Sequence, residues 1–103
     1  MRVKWDDKAE RNRDLIGYYI LDRFGPDSLD QFVDEVEQTV RMIMCYPNIG
    51  KLDPLFANRS IDYRSVIIGG LSKMVYYVED DVIHIAAFWD CRREPTALAS
   101  QVR

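Results

Sequence analysis

The side chains best suited to chemistry lie in the C-terminal third of the sequence, where Arg64, Lys73, Tyr77, His84 and Arg92 occur. A metal-free site that cleaves RNA must activate a 2′-hydroxyl, stabilise charge on the phosphate and protonate the leaving oxygen, and Arg, Lys, His and Tyr can do this. Arg64 would clamp a phosphate, whereas Lys73 offers charge without the bidentate contact. His84 would serve as a base, and Tyr77 as a stacking platform or a proton donor.

Each of these side chains also has a structural interpretation. His84 stands between two isoleucines in a strand-like run, where a histidine commonly fills half-buried space. Tyr77 is of a type that pairs across neighbouring strands. Arg92 and Arg93 bind a phosphate or an acidic partner in one interpretation and form a solvated charge pair in the other.

Three strand-like runs position these side chains. Residues 61–68, 71–79 and 82–89 are rich in Val, Ile, Tyr and Phe, and they are separated by the pairs Gly69-Gly70 and Asp80-Asp81. Branched and aromatic side chains favour strands, and the two pairs are signals for two-residue turns. The sequence therefore predicts an antiparallel meander.

The faces of this meander follow from its turns. Two-residue loops would place Ile68 opposite Leu71 and Glu79 opposite Val82. One face is then almost wholly apolar and is predicted to be the core: Tyr63, Ser65, Ile67, Met74, Tyr76, Val78, Ile83, Ile85, Ala87 and Trp89. The other face is mixed: Arg64, Val66, Lys73, Val75, Tyr77, Val82, His84, Ala86 and Phe88.

The N-terminal half supplies the layer that covers the sheet. Residues 2–5 are β-prone and predict a strand added to the meander, at its edge or within it. A first helix with an apolar stripe ends at Gly25-Pro26, and a second begins at a capping box of Ser28 and Gln31 and ends at Pro47. The prediction is one α+β domain over residues 1–103, with the order β-α-α-β-β-β and an antiparallel helical hairpin.

Composition excludes several classes of protein. The chain has 103 residues and a net charge of −3, which argues against bulk attraction to nucleic acid or to an anionic membrane. Cys45 and Cys91 lack metal-ligand spacing, so they are predicted to be reduced thiols, with no metal and no cofactor. No stretch resembles a signal peptide or a membrane span, which predicts a cytoplasmic protein.

Nearly the whole chain resembles a toxin of the RelE/ParE superfamily from bacterial type II toxin-antitoxin modules. The resemblance is carried by the order and spacing of the following residues: Trp5, Ala9, Leu15, Tyr19, Ile20, Gly25, Phe32, Pro47-Asn48-Ile49-Gly50, Tyr63-Arg64, Lys73 to Val78, Ile83-His84-Ile85 and Arg92-Arg93-Glu94-Pro95. It implies the same α+β fold. It also implies a small cognate antitoxin whose tail wraps the toxin and with which the toxin regulates its operon.

The superfamily holds two activities. The negative charge, the long helical hairpin and the Arg92–Pro95 ending resemble ParE-like members, which poison DNA gyrase by binding and have no known catalytic residues. The alternative is a RelE-like endoribonuclease that cuts mRNA on the ribosome with Arg64, Lys73, His84 and Arg92. A second alternative is an inactive homologue that acts only as a binding partner.

The resemblance also implies binding surfaces. Tyr77, Phe88, Arg92 and Arg93 are the candidates for contact with the target or the antitoxin. An apolar groove is expected where Phe56, Val66, Val75 and Phe88 are partly uncovered, for an antitoxin helix or strand to fill. The free toxin is expected to form a homodimer, because symmetric pairing is common among soluble proteins.

Overall fold

The computed structural model describes residues 1–102 and contains the predicted order of elements. Its helices and strands are β1 (Arg2–Trp5), α1 (Asp7–Phe24), α2 (Pro26–Cys45), β2 (Lys51–Leu52), β3 (Arg64–Ile68), β4 (Ser72–Glu79), β5 (Val82–Asp90) and α3 (Pro95–Gln101), with a 3-10 helix at Pro54–Phe56. The predicted α+β fold is confirmed. The two-residue strand β2, the 3-10 helix and α3 were not predicted.

The five strands form one sheet in the order β1-β5-β4-β3-β2. β1 lies at one edge and pairs in parallel with β5, while the other neighbours are antiparallel. α1 and α2 pack on each other and cover one face, which we call the covered face. α3 packs near the 3-10 helix and β5 on the opposite face, which we call the open face.

A glycine and a proline set the join between α1 and α2. Gly25 has φ of +92° and its N–H donates to the carbonyl of Leu21, which ends α1. Pro26 then begins α2, because its fixed φ suits the first helical position. The predicted capping box at Ser28 is wrong. The Ser28 hydroxyl donates to the carbonyl of Phe24, the last residue of α1, and no side chain caps α2.

The first turn of the meander is longer than predicted, and this changes the faces of β3. Ile68 pairs with Ser72 instead of Leu71, so the loop has three residues, and Gly69 and Gly70 both have positive φ. A register shift of one residue moves every side chain of a strand to the other face. Tyr63, Ser65 and Ile67 therefore belong to the open face, and Arg64 and Val66 to the covered face, opposite to the prediction.

A β-bulge changes the end of β5 in the same way. The second turn has two residues as predicted, and Tyr77 pairs with His84, but Val75 pairs with Ala87, which leaves Ala86 as the extra residue. Beyond the bulge the alternation is inverted. Phe88 lies in the core under the helices, and Ala87 and Trp89 lie on the open face, so all three predicted placements are wrong.

The sheet thus separates two apolar clusters. The cluster on the covered face has these buried members: Ala9, Phe32, Val36, Ile43, Ile68, Met74, Tyr76, Ile83, Ile85 and Phe88. The cluster on the open face is smaller and includes residues near the C-terminus: Phe56, Tyr63, Val75, Ala87, Trp89, Leu98 and Val102. Arg59 ties the C-terminal segment down by donating hydrogen bonds to the carbonyls of Ala99 and Val102, at 2.8 and 2.7 Å.

Candidate functional site

The four side chains predicted to form a catalytic group are not brought together. Arg64 pairs with Tyr76 and shares the covered face with it, whereas His84 and Lys73 lie on the open face. Lys73 and Tyr77, the partner of His84, are four positions apart on β4, which corresponds to about 13 Å along a strand. Arg92 lies beyond the end of β5.

Arg64 is engaged by the loop that follows α2. Its Nη1 donates to the carbonyls of Gly50 and Asn48, at 2.8 and 3.3 Å. The Tyr76 hydroxyl accepts a hydrogen bond from the Gly50 N–H at 2.9 Å and donates to the Pro47 carbonyl at 2.7 Å. Burial raises the pKa of Tyr76, so the hydroxyl stays protonated. Both side chains brace the loop, which explains why Arg64 is half-buried.

Lys73 forms an ion pair with a buried aspartate. Its Nζ lies 2.8 Å from Asp53 Oδ2, and the Asp53 side chain is only 2% exposed. Asp53 Oδ2 makes no aligned hydrogen bond among residues 1–102, so this contact is ionic. The other oxygen of Asp53 accepts from the Leu55 N–H at 3.0 Å and caps the 3-10 helix. Lys73 therefore fastens the 3-10 helix to the sheet.

His84 and Tyr77 end a row of aromatic rings on the open face. Their rings are stacked at 4.6 Å with an interplanar angle of 5°. Tyr63 meets Tyr77 edge-on at 5.3 Å, and Phe56 follows at 4.9 Å from Tyr63. Burial, followed by the nearby Tyr63, Glu79 and Asp6, raises the pKa of Tyr77. A raised pKa makes this phenol a weaker proton donor, and the stack matches the structural interpretation of His84.

The two arginines after β5 are exposed and lie against aromatic rings. Arg92 binds Asp90 through two contacts, Nε to Oδ1 at 3.0 Å and Nη2 to Oδ2 at 2.7 Å, and its guanidinium is 5.6 Å from the Tyr19 ring centre. Arg93 lies 4.0 Å over the Trp89 ring. The hydrogen bonds with Arg92 lower the pKa of Asp90, and Asp90 raises the pKa of Arg92. Both groups therefore stay charged at neutral pH.

The groove predicted at Phe56, Val66, Val75 and Phe88 is not present. Phe56 is 2% exposed, Val75 and Phe88 are fully buried, and Val66 is half-buried. Phe88 packs against Trp5 and Phe32, with ring centres 6.2 and 5.9 Å away. It cannot be a surface contact residue as predicted, because the β-bulge turns it inward.

An apolar groove of about 510 Å³ does open elsewhere, between α1, the start of α2, the β3–β4 loop and the end of β5. We call it the helix groove. Its exposed apolar side chains are Leu15, Tyr19, Phe24 and Leu71. Buried Phe88 and Ile68 form part of its wall, and Arg92, Arg93, Asp90 and Glu35 provide charges around it. Arg23 and Arg92 both lie within 6 Å of the Tyr19 ring centre, at 5.3 and 5.6 Å.

The sequence carried a signal for this groove. The apolar stripe of α1 is predicted to face the sheet, yet Ala9 and Gly17 are the only buried residues of this helix, and within the stripe Leu15 is 57% and Phe24 66% exposed. A stripe wider than the face that the sheet can cover leaves apolar surface exposed, and such a patch is a candidate binding site. Arg92 and Arg93 were predicted as binding residues, and they line this groove.

Comparison with known proteins identifies the family. A family model described as the ParE toxin of the type II toxin-antitoxin system, parDE, matches residues 3–95. The chain belongs to this family. It is a ParE-like type II toxin, as the sequence predicted, and the RelE-like alternative is not favoured.

A solved structure shares the fold of this ParE-like toxin. It is described as the chromosomal ParDE TA system from P. aeruginosa; the match has a TM-score of 0.69 and 20% identity, and covers 87% of this chain and 95% of that one. No curated protein sequence matches. The family match ends at Pro95, so α3 lies almost wholly beyond it.

Two kinds of feature are absent from residues 1–102 of this ParE-like toxin. No group of three or more His, Cys, Asp or Glu side chains in this range could hold a metal ion. No helix in the same range is long and apolar enough to cross a membrane. Cys45 and Cys91 are free and exposed.

Proposed function

We propose that this ParE-like toxin acts by binding, inhibits DNA gyrase, and is neutralised by an antitoxin segment that lies in the helix groove. The observation that carries the proposal is the contrast between the two candidate sites. Arg64 and Lys73 are engaged in internal contacts on opposite faces, whereas the helix groove presents exposed apolar side chains without a covering element among residues 1–102.

The helix groove suits an amphipathic helix. Leu15 and Tyr19 are four positions apart on α1 and lie on one side of that helix, with Phe24 and Leu71 beside them. An apolar helical stripe laid along these residues would bury them, as in other helix-in-groove complexes. Arg92 and Arg93 at the rim favour acidic residues next to that stripe. The ParDE system of the solved structure supports an antitoxin as the partner.

The gyrase proposal rests on the family and on the finding that the side chains predicted to be catalytic do not converge within residues 1–102. Tyr77, on the open face, and Arg92 and Arg93, at the groove, remain the proposed contact residues for the target or the antitoxin. The free toxin is also proposed to form a homodimer in the cytoplasm.

One experiment tests the activity. The purified chain is added to a supercoiling reaction with DNA gyrase and, separately, to an in vitro translation reaction in which the mRNA is followed on a gel. We expect supercoiling to be inhibited and the mRNA to remain intact. Cleavage of mRNA at the ribosome would overturn the proposal in favour of an endoribonuclease, and no effect in either reaction would indicate an inactive homologue.

A matched pair of variants tests the groove. Leu15 and Leu52 are 57% and 56% exposed, and only Leu15 lines the helix groove. With the short protein encoded beside this toxin as the probe, Leu15→Lys should weaken its binding at least tenfold, and Leu52→Lys should leave it unchanged. Equal binding to both variants, or loss with Leu52→Lys alone, would place the antitoxin elsewhere.

A further inference from the structure

A cavity lined by polar side chains lies on the open face, away from the helix groove. Residues from β1, the first turn of α1, β4, β5 and the end of α3 line it, and its volume is about 450 Å³. We call it the open-face cavity. It shares no lining residue with the helix groove, so an antitoxin segment in that groove would not occupy it.

Alternation along β1 directs Lys4 to the open-face cavity. Val3 and Trp5 pack against the apolar cluster of the covered face, so Lys4 between them points to the opposite side. The register of β1 with β5 places Lys4 beside His84, and His84 pairs in turn with Tyr77 on β4. An ammonium group, an imidazole and a phenol therefore lie side by side across three strands, and all three line this cavity.

The start of α1 adds a second ammonium group. The Asp6 N–H donates to the carbonyl of Ile85 at 2.9 Å, which fixes the beginning of this helix against β5. Asp6 Oδ1 accepts from the Lys8 N–H at 3.0 Å and caps the first turn. Lys8 therefore lines the open-face cavity from the helix, as Lys4 does from the strand.

The fold does not use the polar atoms of these side chains. Within residues 1–102, the side chains of Lys4, Lys8, Tyr77 and His84 form no hydrogen bond and no ion pair. The buried polar atoms that lack a hydrogen-bond partner lie at other residues, so the Tyr77 hydroxyl and the His84 nitrogens are accessible. Four groups that can donate hydrogen bonds to a ligand therefore surround one cavity.

The charges around the open-face cavity define the chemistry of the ligand. The two ammonium groups, with the neighbouring imidazole and phenol, suit a phosphate monoester, which carries nearly two negative charges at neutral pH. Asp6 and Asp7 also line the cavity, and their carboxylates would repel a bare anion. The same carboxylates accept hydrogen bonds from hydroxyl and amino groups. A ligand that combines one phosphate with several such donors matches both sets of charges.

We propose that the open-face cavity binds a nucleoside 5′-monophosphate, with the phosphate at Lys4 and His84 and the ribose hydroxyls or the base amino group at Asp6 and Asp7. The volume of the cavity is in the range of pockets that bind small molecules. The net charge of −3 argues against long-range attraction to a nucleic acid, which favours a free nucleotide over one at the end of a strand. The proposal requires neither gyrase nor an antitoxin.

The chain has one histidine, so its NMR signals report on this cavity without interference from other imidazoles. The imidazole C–H signals of the untagged chain are followed at constant pH while adenosine 5′-monophosphate, adenosine or inorganic phosphate is added. We expect the monophosphate to shift them saturably and to bind about tenfold more tightly than adenosine or phosphate. Unchanged signals at millimolar monophosphate would overturn the proposal, and equally tight binding of phosphate would overturn the assignment to a nucleotide.

A matched pair of lysine variants tests the contact with the phosphate. Lys4→Gln should weaken monophosphate binding about tenfold, because it removes a charge beside the phosphate. Lys51→Gln changes another exposed lysine on a short edge strand, one that does not line the cavity, and should bind as the wild type does. Tyr77→Phe keeps the ring next to His84 and should weaken binding about threefold through loss of the hydroxyl.

Two outcomes of these titrations would contradict the proposal. Equal binding by Lys4→Gln and the wild type would show that the shifted histidine signals do not come from a phosphate at this site. A short 5′-phosphorylated oligonucleotide that binds more tightly than the monophosphate would overturn the free nucleotide as the ligand and assign the cavity to the end of a nucleic acid strand.

Discussion

The two faces of the sheet differ in what covers them and in what their polar residues do. On the covered face, two helices of 18 and 20 residues bury a large apolar cluster but leave the helix groove open beside it. On the open face, a 3-10 helix and a seven-residue helix cover a smaller cluster. Lys73 and His84, which were predicted to be catalytic, lie on this second face. There Lys73 anchors the 3-10 helix through Asp53, and His84 stacks on Tyr77. A polar side chain in a strand can therefore have a structural role, such as anchoring a neighbouring segment, instead of a catalytic one.

Substitutions at Phe88 and Trp89 should change the stability most, and they compare the two faces directly, because the β-bulge places these neighbours on opposite faces. Phe88→Ala should lower the free energy of unfolding by about 4 kcal/mol, since it removes the ring that meets Trp5 and Phe32 in a rigid core. Trp89→Ala should cost about 3 kcal/mol, because the short C-terminal segment over it can collapse into the space. Urea unfolding measures both values.

If Trp89→Ala cost more than Phe88→Ala, the open-face cluster would not be the one that collapses more easily around a lost ring. Trp89→Phe is the matched control. It keeps an aromatic ring and removes Nε1, which is buried without a hydrogen-bond partner among residues 1–102. It should therefore cost less than Trp89→Ala, and less than the removal of a satisfied group would.

The Asp53–Lys73 pair tests the bracing role on the open face. Asp53→Ala should cost about 3 kcal/mol of unfolding free energy, because it leaves a largely buried ammonium unpaired and removes the cap of the 3-10 helix. The double change Asp53→Leu with Lys73→Met should recover part of this loss. Under the proposed function, this double variant should inhibit gyrase as the wild type does, whereas a catalytic Lys73 would make the variant inactive however stable it is.

Gly50 tests the brace on the covered face. A Cβ atom there would lie 2.7 Å from the Tyr76 hydroxyl oxygen and 3.1 Å from the Ser65 carbonyl. Gly50→Ala should therefore push the loop from Tyr76 and cost about 2 kcal/mol. Asn48→Ala, a change in the same loop at an exposed residue that contributes only its backbone carbonyl to Arg64, should be nearly neutral. Equal costs would show that the loop tolerates the added methyl group.

The sequence predicted the order of elements well because local patterns decide it: helical stripes, Pro26 and the branched strands. It did not predict which face of the sheet several side chains occupy, because two features of one residue each invert the alternation. Gly69 and Gly70 are compatible with a two-residue and a three-residue loop, and the choice depends on how β3 pairs over its whole length. The bulge at Ala86 has no local signature at all. Each feature shifts the alternation by one residue, so Arg64 and Phe88 were assigned to the face that they do not occupy.

The candidate site was predictable only in part for the same reason. Arg92 and Arg93 follow the last strand whatever its register, and they line the helix groove, where their binding role stays a prediction. The groove beside them needs the packing of α1, since only three-dimensional coverage decides which part of its apolar stripe is left exposed. Arg64 and Lys73 could not be recognised as braces, because their partners, the carbonyl of Gly50 and the carboxylate of Asp53, come from a loop without a predicted structure.

The smallest expected effect concerns pH, at the Asp90–Arg92 pair beside the groove. The pKa of Asp90 is below its ordinary value in the folded toxin because Arg92 hydrogen-bonds the charged form. Its contribution to stability is therefore fully present above the ordinary pKa of 3.8 and is lost as the pH falls through the lowered folded value. Arg92→Gln should make the unfolding free energy fall less between neutral and acid pH. The difference from the wild type should be small, and salt should reduce it, because both groups are near solvent. Arg93→Gln, which leaves these hydrogen bonds in place, should retain the wild-type profile. If the Arg92→Gln profile were identical to that of the wild type, the Asp90–Arg92 pair would not contribute to stability. Arg92 could then bind an acidic partner without loss of stability.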